Sequence, residues 1–231
     1  MNRSWLVVAL LSVVWAAGCA KPAYVLEPDP TPYVRDDPTE YFLYLPAGYT
    51  AERAWPVFVG VHGFGGSGRS CLNLWQASAD EEGYILVCPS LADESGGWYV
   101  SYGEKVLMMV LQRVRKECHT QKRVFLAGFS AGAEFVQAFV FDQPGLVAGV
   151  SVLSSGNYYA PRKQARGIPF LVVIGDEDDP AGLKGARQFS ELLQAQGFRV
   201  DLHILPGVTH RVSAEAQRLT LDFYREVMAE R

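Results

Sequence analysis

The run Gly128-Phe129-Ser130-Ala131-Gly132 constrains this chain more than any other stretch of it. It follows the apolar segment Val124 to Ala127 and precedes an amphipathic stretch over 131–142, so the serine stands between a predicted strand and a predicted helix. Glycines at both ends of such a turn permit a tight, strained backbone that lifts the serine hydroxyl clear of a sheet. A Gly/Ser turn without chemistry would need no partners elsewhere. A serine at its ordinary pKa needs a base to take its proton and a third group to orient that base.

The rest of the chain supplies the scaffold such a turn requires. Short apolar or alternating runs at Tyr41 to Leu45, Val57 to Val61, Tyr84 to Val87, Val124 to Ala127, Ala148 to Leu153, Phe170 to Ile174 and Val200 to Leu205 read as strands. Helical periodicity falls near 70–82, 102–117, 131–142, 182–196 and 213–229, the last with Leu219, Phe223 and Val227 at steps of four. Strand and helix alternate. The pattern predicts an α/β domain over 39–231, a mostly parallel sheet with helices on both faces and ligands at the carboxyl ends of the strands.

The chain has four histidines. His62 ends a strand ahead of the serine, His119 falls at the tail of a helix and hence at the far edge, and His203 is mid-strand. His210 follows a strand in Leu205-Pro206-Gly207-Val208-Thr209-His210, at the edge where Ser130 is expected. The orienting acid belongs to a loop at that same edge, after Phe170 to Ile174, where Gly175-Asp176-Glu177-Asp178-Asp179 follows. Like charges this close repel, so most of these carboxylates face water or favour the start of the next helix. Asp178, Asp179 and Asp176 are the candidates, in the chain order serine, acid, histidine.

Taken together, these residues resemble an α/β-hydrolase of the serine esterase kind, in the group that includes polyhydroxybutyrate depolymerase-like, feruloyl esterase-like and carboxylesterase-like proteins. The matching pieces are Tyr41 to Pro46, Val61-His62-Gly63-Phe64-Gly65-Gly66-Ser67, the serine turn, Gly175 to Asp178 and Gly207 to His210, spread over nearly the whole domain. The resemblance implies a serine-dependent carboxylic-ester hydrolase with Ser130 as nucleophile, His210 as base and Asp178, third after the strand-ending glycine, as acid. It also implies an oxyanion hole made by the backbone N–H groups of Phe64 and Ala131. Ala133 departs from a second glycine common in relatives at that place, a change expected to tighten helix packing without removing the nucleophile. The same triad serves a serine peptidase or thioesterase, and a non-catalytic surface lipoprotein could keep the fold.

The glycine loop at 63–70 also matches nucleotide-binding patterns, but Arg69 stands where a phosphate-binding lysine is needed and Val87-Cys88-Pro89-Ser90 offers no acid for a ribose. No cofactor is expected. No metal is expected either, His62 having no Cys or acid at ligand spacing and serving to brace its loop. Residues 154–168, between two strands, are too few for a cap domain, so an open site for small or polymer-end esters is expected. His62, Trp98, Tyr99 and Tyr158 are the candidate lining residues, with Tyr159 beside them. If a disulfide forms, placement at the same edge favours Cys71 with Cys88 over Cys118.

At the N-terminus, Arg3 and the apolar run Trp5 to Ala17 fall short of a membrane span and read as a signal peptide. Ala16-Ala17-Gly18-Cys19 resembles a bacterial lipobox, which implies removal of residues 1–18 and lipidation of Cys19. A proline-rich tether over 19–38 would follow, on a protein exported and held at a bacterial membrane, at its periplasmic face or the outer membrane. With 21 Lys+Arg against 25 Asp+Glu, the chain lacks the basic excess that nucleic-acid binding requires. Oligomeric state leaves no mark in the sequence.

Overall fold

The computed structural model describes residues 24–25, 41–91 and 100–230. Eight strands form one sheet: β1 (Tyr24–Val25), β2 (Tyr41–Tyr44), β3 (Trp55–Val61), β4 (Ile85–Pro89), β5 (Thr120–Phe129), β6 (Val147–Leu153), β7 (Phe170–Gly175) and β8 (Val200–Leu205). Five helices alternate with them: α1 (Gly68–Glu82), α2 (Val100–Glu117), α3 (Ala131–Asp142), α4 (Pro180–Ala195) and α5 (Ala214–Ala229). The spatial order is β1-β2-β4-β3-β5-β6-β7-β8. All pairings from β4 through β8 are parallel, whereas β2 runs antiparallel to both β1 and β4. Every strand and helix expected from periodicity is present.

Alternation along the strands divides the core in two. Val57, Val59 and Val61 of β3 face the layer of α2, α3 and α4, where Leu107, Phe135, Phe139 and Phe189 are buried. Phe58 faces the other layer, α1 and α5, where it packs within 4.8–5.9 Å (ring centroids) of Trp75, Tyr84, Phe125 and Tyr224. Of the step-of-four residues in α5, Phe223 and Val227 are buried and Leu219 packs at the margin of that layer. Helices on both faces leave the central strands dry, which is why their sequences are apolar almost without interruption.

Two boundaries differ from the sequence expectation. Strand β5 begins at Thr120, four residues before its apolar run, with Lys122 and Arg123 exposed. Backbone pairing of Trp55 with Thr120 carries the strand past the covered part of the sheet, where side chains need not be apolar. In the proline-rich segment read as a plain tether, Tyr24–Val25 add an edge strand opposite Phe42 and Leu43.

The strand order also locates the site. From β3 the chain winds outward to β4, then crosses back over β3 to β5, so the carboxyl ends of β3 and β5 flank a crevice. Sheets of this kind bind ligands at that reversal. His62, Gly63 and Phe64 leave β3 there, and Ser130 leaves β5 beside them.

Candidate active site

Ser130 caps the N-terminus of α3 with φ 55° and ψ −119°, a positive φ that non-glycine residues rarely adopt. Its neighbours hold it there. A Cβ on Gly128 would lie 2.2 Å from the Gly132 carbonyl oxygen, and one on Gly132 would lie 2.5 Å from the carbonyl oxygens of both Val61 and His62. The turn is closed onto itself and onto the end of β3, and its backbone is tied by the Ser130 N–H donating to the Leu153 carbonyl at 2.9 Å. Ala133, where the resemblance suggested a second glycine, is completely buried in the α2–α4 layer.

His210 and Asp178 reach this serine from separate loops. His210 Nε2 lies 2.9 Å from Ser130 Oγ, and His210 Nδ1 lies 2.8 Å from Asp178 Oδ1. The Asp178 side chain is only 3% exposed, whereas that of His210 is 49% exposed. An unprotonated Nε2 facing the hydroxyl and an Nδ1–H donated to the carboxylate form the arrangement that makes a serine nucleophilic. Phe129, with its ring centroid 5.0 Å from that of His210, packs against the imidazole.

The run of acids sorts cleanly. Asp176 Oδ1 accepts the Gly207 N–H at 2.7 Å, and the Glu177 N–H donates to the Val208 carbonyl at 3.1 Å, so these two residues fasten the loop that carries His210. Asp179 accepts the Gly182 N–H at 2.9 Å and caps α4, with Pro180 following at the first helical position. Asp178 Oδ1 accepts both the His210 ring and the Asp179 N–H, the latter at 2.7 Å. The alternatives Asp176 and Asp179 are therefore occupied elsewhere, as a loop anchor and a helix cap.

His62 is buried at the base of the Phe64 loop. Its Nε2 accepts the Leu91 N–H at 3.1 Å, which leaves Nδ1 as the donor to the Gly63 carbonyl at 2.8 Å. Burial pushes its pKa below the ordinary value of 6.5, against a smaller opposing effect of the Gly63 carbonyl. The expected brace is thus a neutral imidazole stitching the loops after β3 and β4 together. Among the described residues, neither the Phe64 nor the Ala131 N–H meets an acceptor, and the Phe64 ring is 70% exposed.

A cavity of about 180 Å³ opens between this loop, the serine turn and α1. Cys71, Trp75, Ala127 and Leu153 are among its buried lining residues, Leu74, Phe129 and Val212 among its half-buried ones, and exposed Phe64 stands at the rim. Of the lining residues expected, His62 borders this cavity. Tyr158 instead packs on α4 beside Tyr159, its ring centroid 5.1 Å from that of Phe189, and Trp98 and Tyr99 lie outside the described residues, as does Cys19. His119 is at the far edge, its ring against the Ala51 carbonyl.

The three described cysteines are free, buried thiols, so the Cys71–Cys88 bridge is not formed. The pair is nevertheless adjacent. Burial first, and then a hydrogen bond with Cys71, pushes the Cys88 thiol well above its usual range, which keeps that sulfur protonated.

No family model matches the chain. The probable feruloyl esterase C of Aspergillus terreus is 28% identical over 156 residues, 63% of this chain and 55% of that one. The bifunctional acetylxylan esterase/xylanase XynS20E of Neocallimastix patriciarum is 27% identical over 108 residues, 46% of this chain and 16% of that one. The chain thus spans less than two thirds of either relative. Est1E from Butyrivibrio proteoclasticus superposes with a TM-score of 0.70 at 16% identity, covering 90% of this chain and 99% of that one. The chain has the α/β-hydrolase fold. Within that fold the serine turn after β5, the acid after β7 and the histidine after β8 occupy one edge in the order the sequence suggested.

Two outcomes follow from the sorted acids and the buried imidazole. Asp178→Asn should lower turnover of an ester by about 10³- to 10⁴-fold with little loss of stability, whereas Asp179→Ala should leave turnover within a few-fold and cost about 1 kcal/mol in denaturant unfolding. His62 binds its proton less readily folded than unfolded, so its contribution to stability is complete above pH 6.5 and fades as pH falls below that value. Between about pH 7.5 and about pH 5.5 the melting temperature should therefore fall more for the wild type than for His62→Gln, whose amide keeps both hydrogen bonds without titrating.

Proposed function

We propose that this protein is a serine-dependent carboxylic-ester hydrolase working through an acyl-enzyme. The observation that carries the reading is the continuous relay Asp178–His210–Ser130 at a strained turn. Similarity to a feruloyl esterase and an acetylxylan esterase supports the same reaction class.

In this reading Ser130 Oγ attacks the ester carbonyl while His210 Nε2 takes the hydroxyl proton, and Asp178 steadies the imidazolium that forms. The N–H groups of Phe64 and Ala131 receive the developing oxyanion. Collapse of the tetrahedral intermediate expels the alcohol, protonated by His210. A water activated by the same imidazole then releases the acid and restores Ser130. His62 serves indirectly, since the Gly63 carbonyl it holds precedes the Phe64 N–H.

The reading extends to the substrate. The cavity bordered by Gly63, Phe64 and Phe129 is walled almost wholly by apolar groups and has room for a compact acyl or aryl group, not a long fatty chain. Only residues 154–169 separate β6 from β7, and within them the sole helical element is a single turn at Lys163–Ala165, which supports an open approach for small esters or the ends of a polymer. A fluorophosphonate probe should label the wild type and not Ser130→Ala, whose ester turnover should fall by roughly 10⁴- to 10⁶-fold. Across acetyl, butyryl, longer acyl, feruloyl and hydroxybutyryl esters, Leu74→Trp should shift preference toward the smallest acyl group. Folded wild type that neither labels nor turns over any member would overturn the assignment.

The second part of the proposal concerns location: export by the N-terminal apolar run and anchoring to a membrane through a lipid on Cys19, supported by Ala16-Ala17-Gly18-Cys19. No helix among the described residues is long and apolar enough to cross a membrane. Expressed in a bacterium, the wild type should take up radiolabelled fatty acid and sediment with membranes. Retention of both properties by Cys19→Ala would refute the anchor.

A further inference from the structure

The amino ends of the strands, at the edge opposite Ser130, border a second hollow of about 350 Å³. Three arginines from separate parts of the chain line it: Arg123 in the polar start of β5, Arg166 shortly before β7 and Arg199 immediately before β8. Like charges repel, so their convergence on one hollow is unfavourable until anions answer them. The acids nearby answer only one of the three. Arg199 pairs through Nη1 with Glu230 at 2.8 Å and through Nη2 with Glu226, both at the end of α5. Among the described residues Glu230 is the one acid in the lining, and the guanidinium groups of Arg123 and Arg166 make no hydrogen bond and no ion pair.

The backbone holds these side chains together. The Arg166 stem lies along the turn after α4, where a Cβ on Gly197 would stand 3.7 Å from its Cδ and 3.8 Å from its Nε. Two residues on, the Arg199 carbonyl accepts the Phe170 N–H at 2.9 Å, which sets Arg199 beside the start of β7. Arg123 precedes Val124, which pairs with Val147 of β6, the strand between β5 and β7. Buried Pro169 and Val227 add an apolar part to the lining.

We propose that this hollow binds a phosphate group carried on a small organic body, with Arg123 and Arg166 holding the phosphate and Arg199 as a fixed third side. A guanidinium presents a planar fork of N–H donors, and one fork already satisfies both oxygens of a carboxylate. Two unmatched forks on one hollow suit a tetrahedral anion instead, since a phosphate monoester offers three acceptor oxygens and about two negative charges. The hollow is larger than a phosphate alone, and Pro169 and Val227 give the attached body an apolar surface to rest on. A soluble phosphate ester and the headgroup of a membrane phospholipid both carry this chemistry. In the second case the domain rests on the membrane with Ser130 turned away from it. No residue of the Asp178–His210–Ser130 relay belongs to the site, so the proposal stands apart from the hydrolase reading.

The test uses the full-length chain carrying Cys19→Ala, so that no lipid anchor contributes. Calorimetric titration with inorganic phosphate and with glycerol phosphate should show binding of both, tighter for the ester. Adding Arg123→Ala or Arg166→Ala should weaken it about tenfold each, and Arg166→Lys, which keeps the charge and loses the fork, should weaken it less than Arg166→Ala. Ester turnover should be the same in all of these proteins. Flotation with phosphatidylcholine vesicles, with and without phosphatidic acid, separates the two sources. Recruitment by phosphatidic acid that the double change Arg123→Ala and Arg166→Ala abolishes assigns the site to a lipid headgroup, whereas binding of glycerol phosphate without recruitment assigns it to a soluble ester. The proposal is overturned if the arginine-intact chain binds neither phosphate, glycerol phosphate nor the vesicles, if the double variant binds as tightly as its parent, or if acetate binds as tightly as phosphate.

Discussion

The close approach of the serine turn to the end of β3 is the constraint on which the rest of the site depends. Gly128 and Gly132 have no room for a side chain, since the carbonyls of Gly132, Val61 and His62 occupy the space a Cβ would need. That contact goes with the positive φ of Ser130 and brings its turn beside the Gly63-Phe64 loop. It also sets the start of α3, from which Glu134 and Gln137 reach the loop after β6. A strained serine of this kind survives only where surrounding structure over-determines it, and here β3, β5, β6, α3 and the His210 loop converge on its turn.

The loops that complete the site are joined to one another as firmly as to the sheet. Asp176 and Glu177, after β7, bind the backbone of Gly207 and Val208, which lead to His210. His62, after β3, binds Leu91 beyond β4, and Gln137 of α3 binds the segment around Tyr158. The geometry of the relay is thus fixed by side chains outside it and by backbone bonds as much as by the three residues in line. Positioning of this sort is what lets a single proton transfer be effective, because reacting groups misplaced by an ångström lose much of their advantage.

How much of this was legible beforehand varies by element. The seven central strands and five helices were readable because burial on both faces of a parallel sheet writes apolar runs into the strands and a 3.6-residue period into the helices. The polar start of β5 and the pair Tyr24–Val25 were not, because backbone pairing alone makes them strands. Ser130 and His210 could be chosen from their place after strands. Asp178 could not be separated from Asp176 and Asp179 on local grounds, and the resemblance to esterases was needed to prefer it. Tyr158 could be noticed only as an aromatic near the mouth, its packing over Gly185 and Phe189 of α4 having no sequence signature. Cys71 and Cys88 could be placed at one edge, but not shown to be neighbours with their thiols intact.

The sequence by itself determined the order of elements, the strand-turn-helix at Ser130 and the presence of a base and acids in loops on one edge, because these are local patterns of period, turn chemistry and position. Tertiary structure decided which carboxylate faces His210, the tautomer of His62 and the cavity against α1. Each of those depends on atoms brought together by pairings between residues far apart in the chain. Adjacent acids look alike until Gly207 and His210 arrive from elsewhere in the chain to claim Asp176 and Asp178.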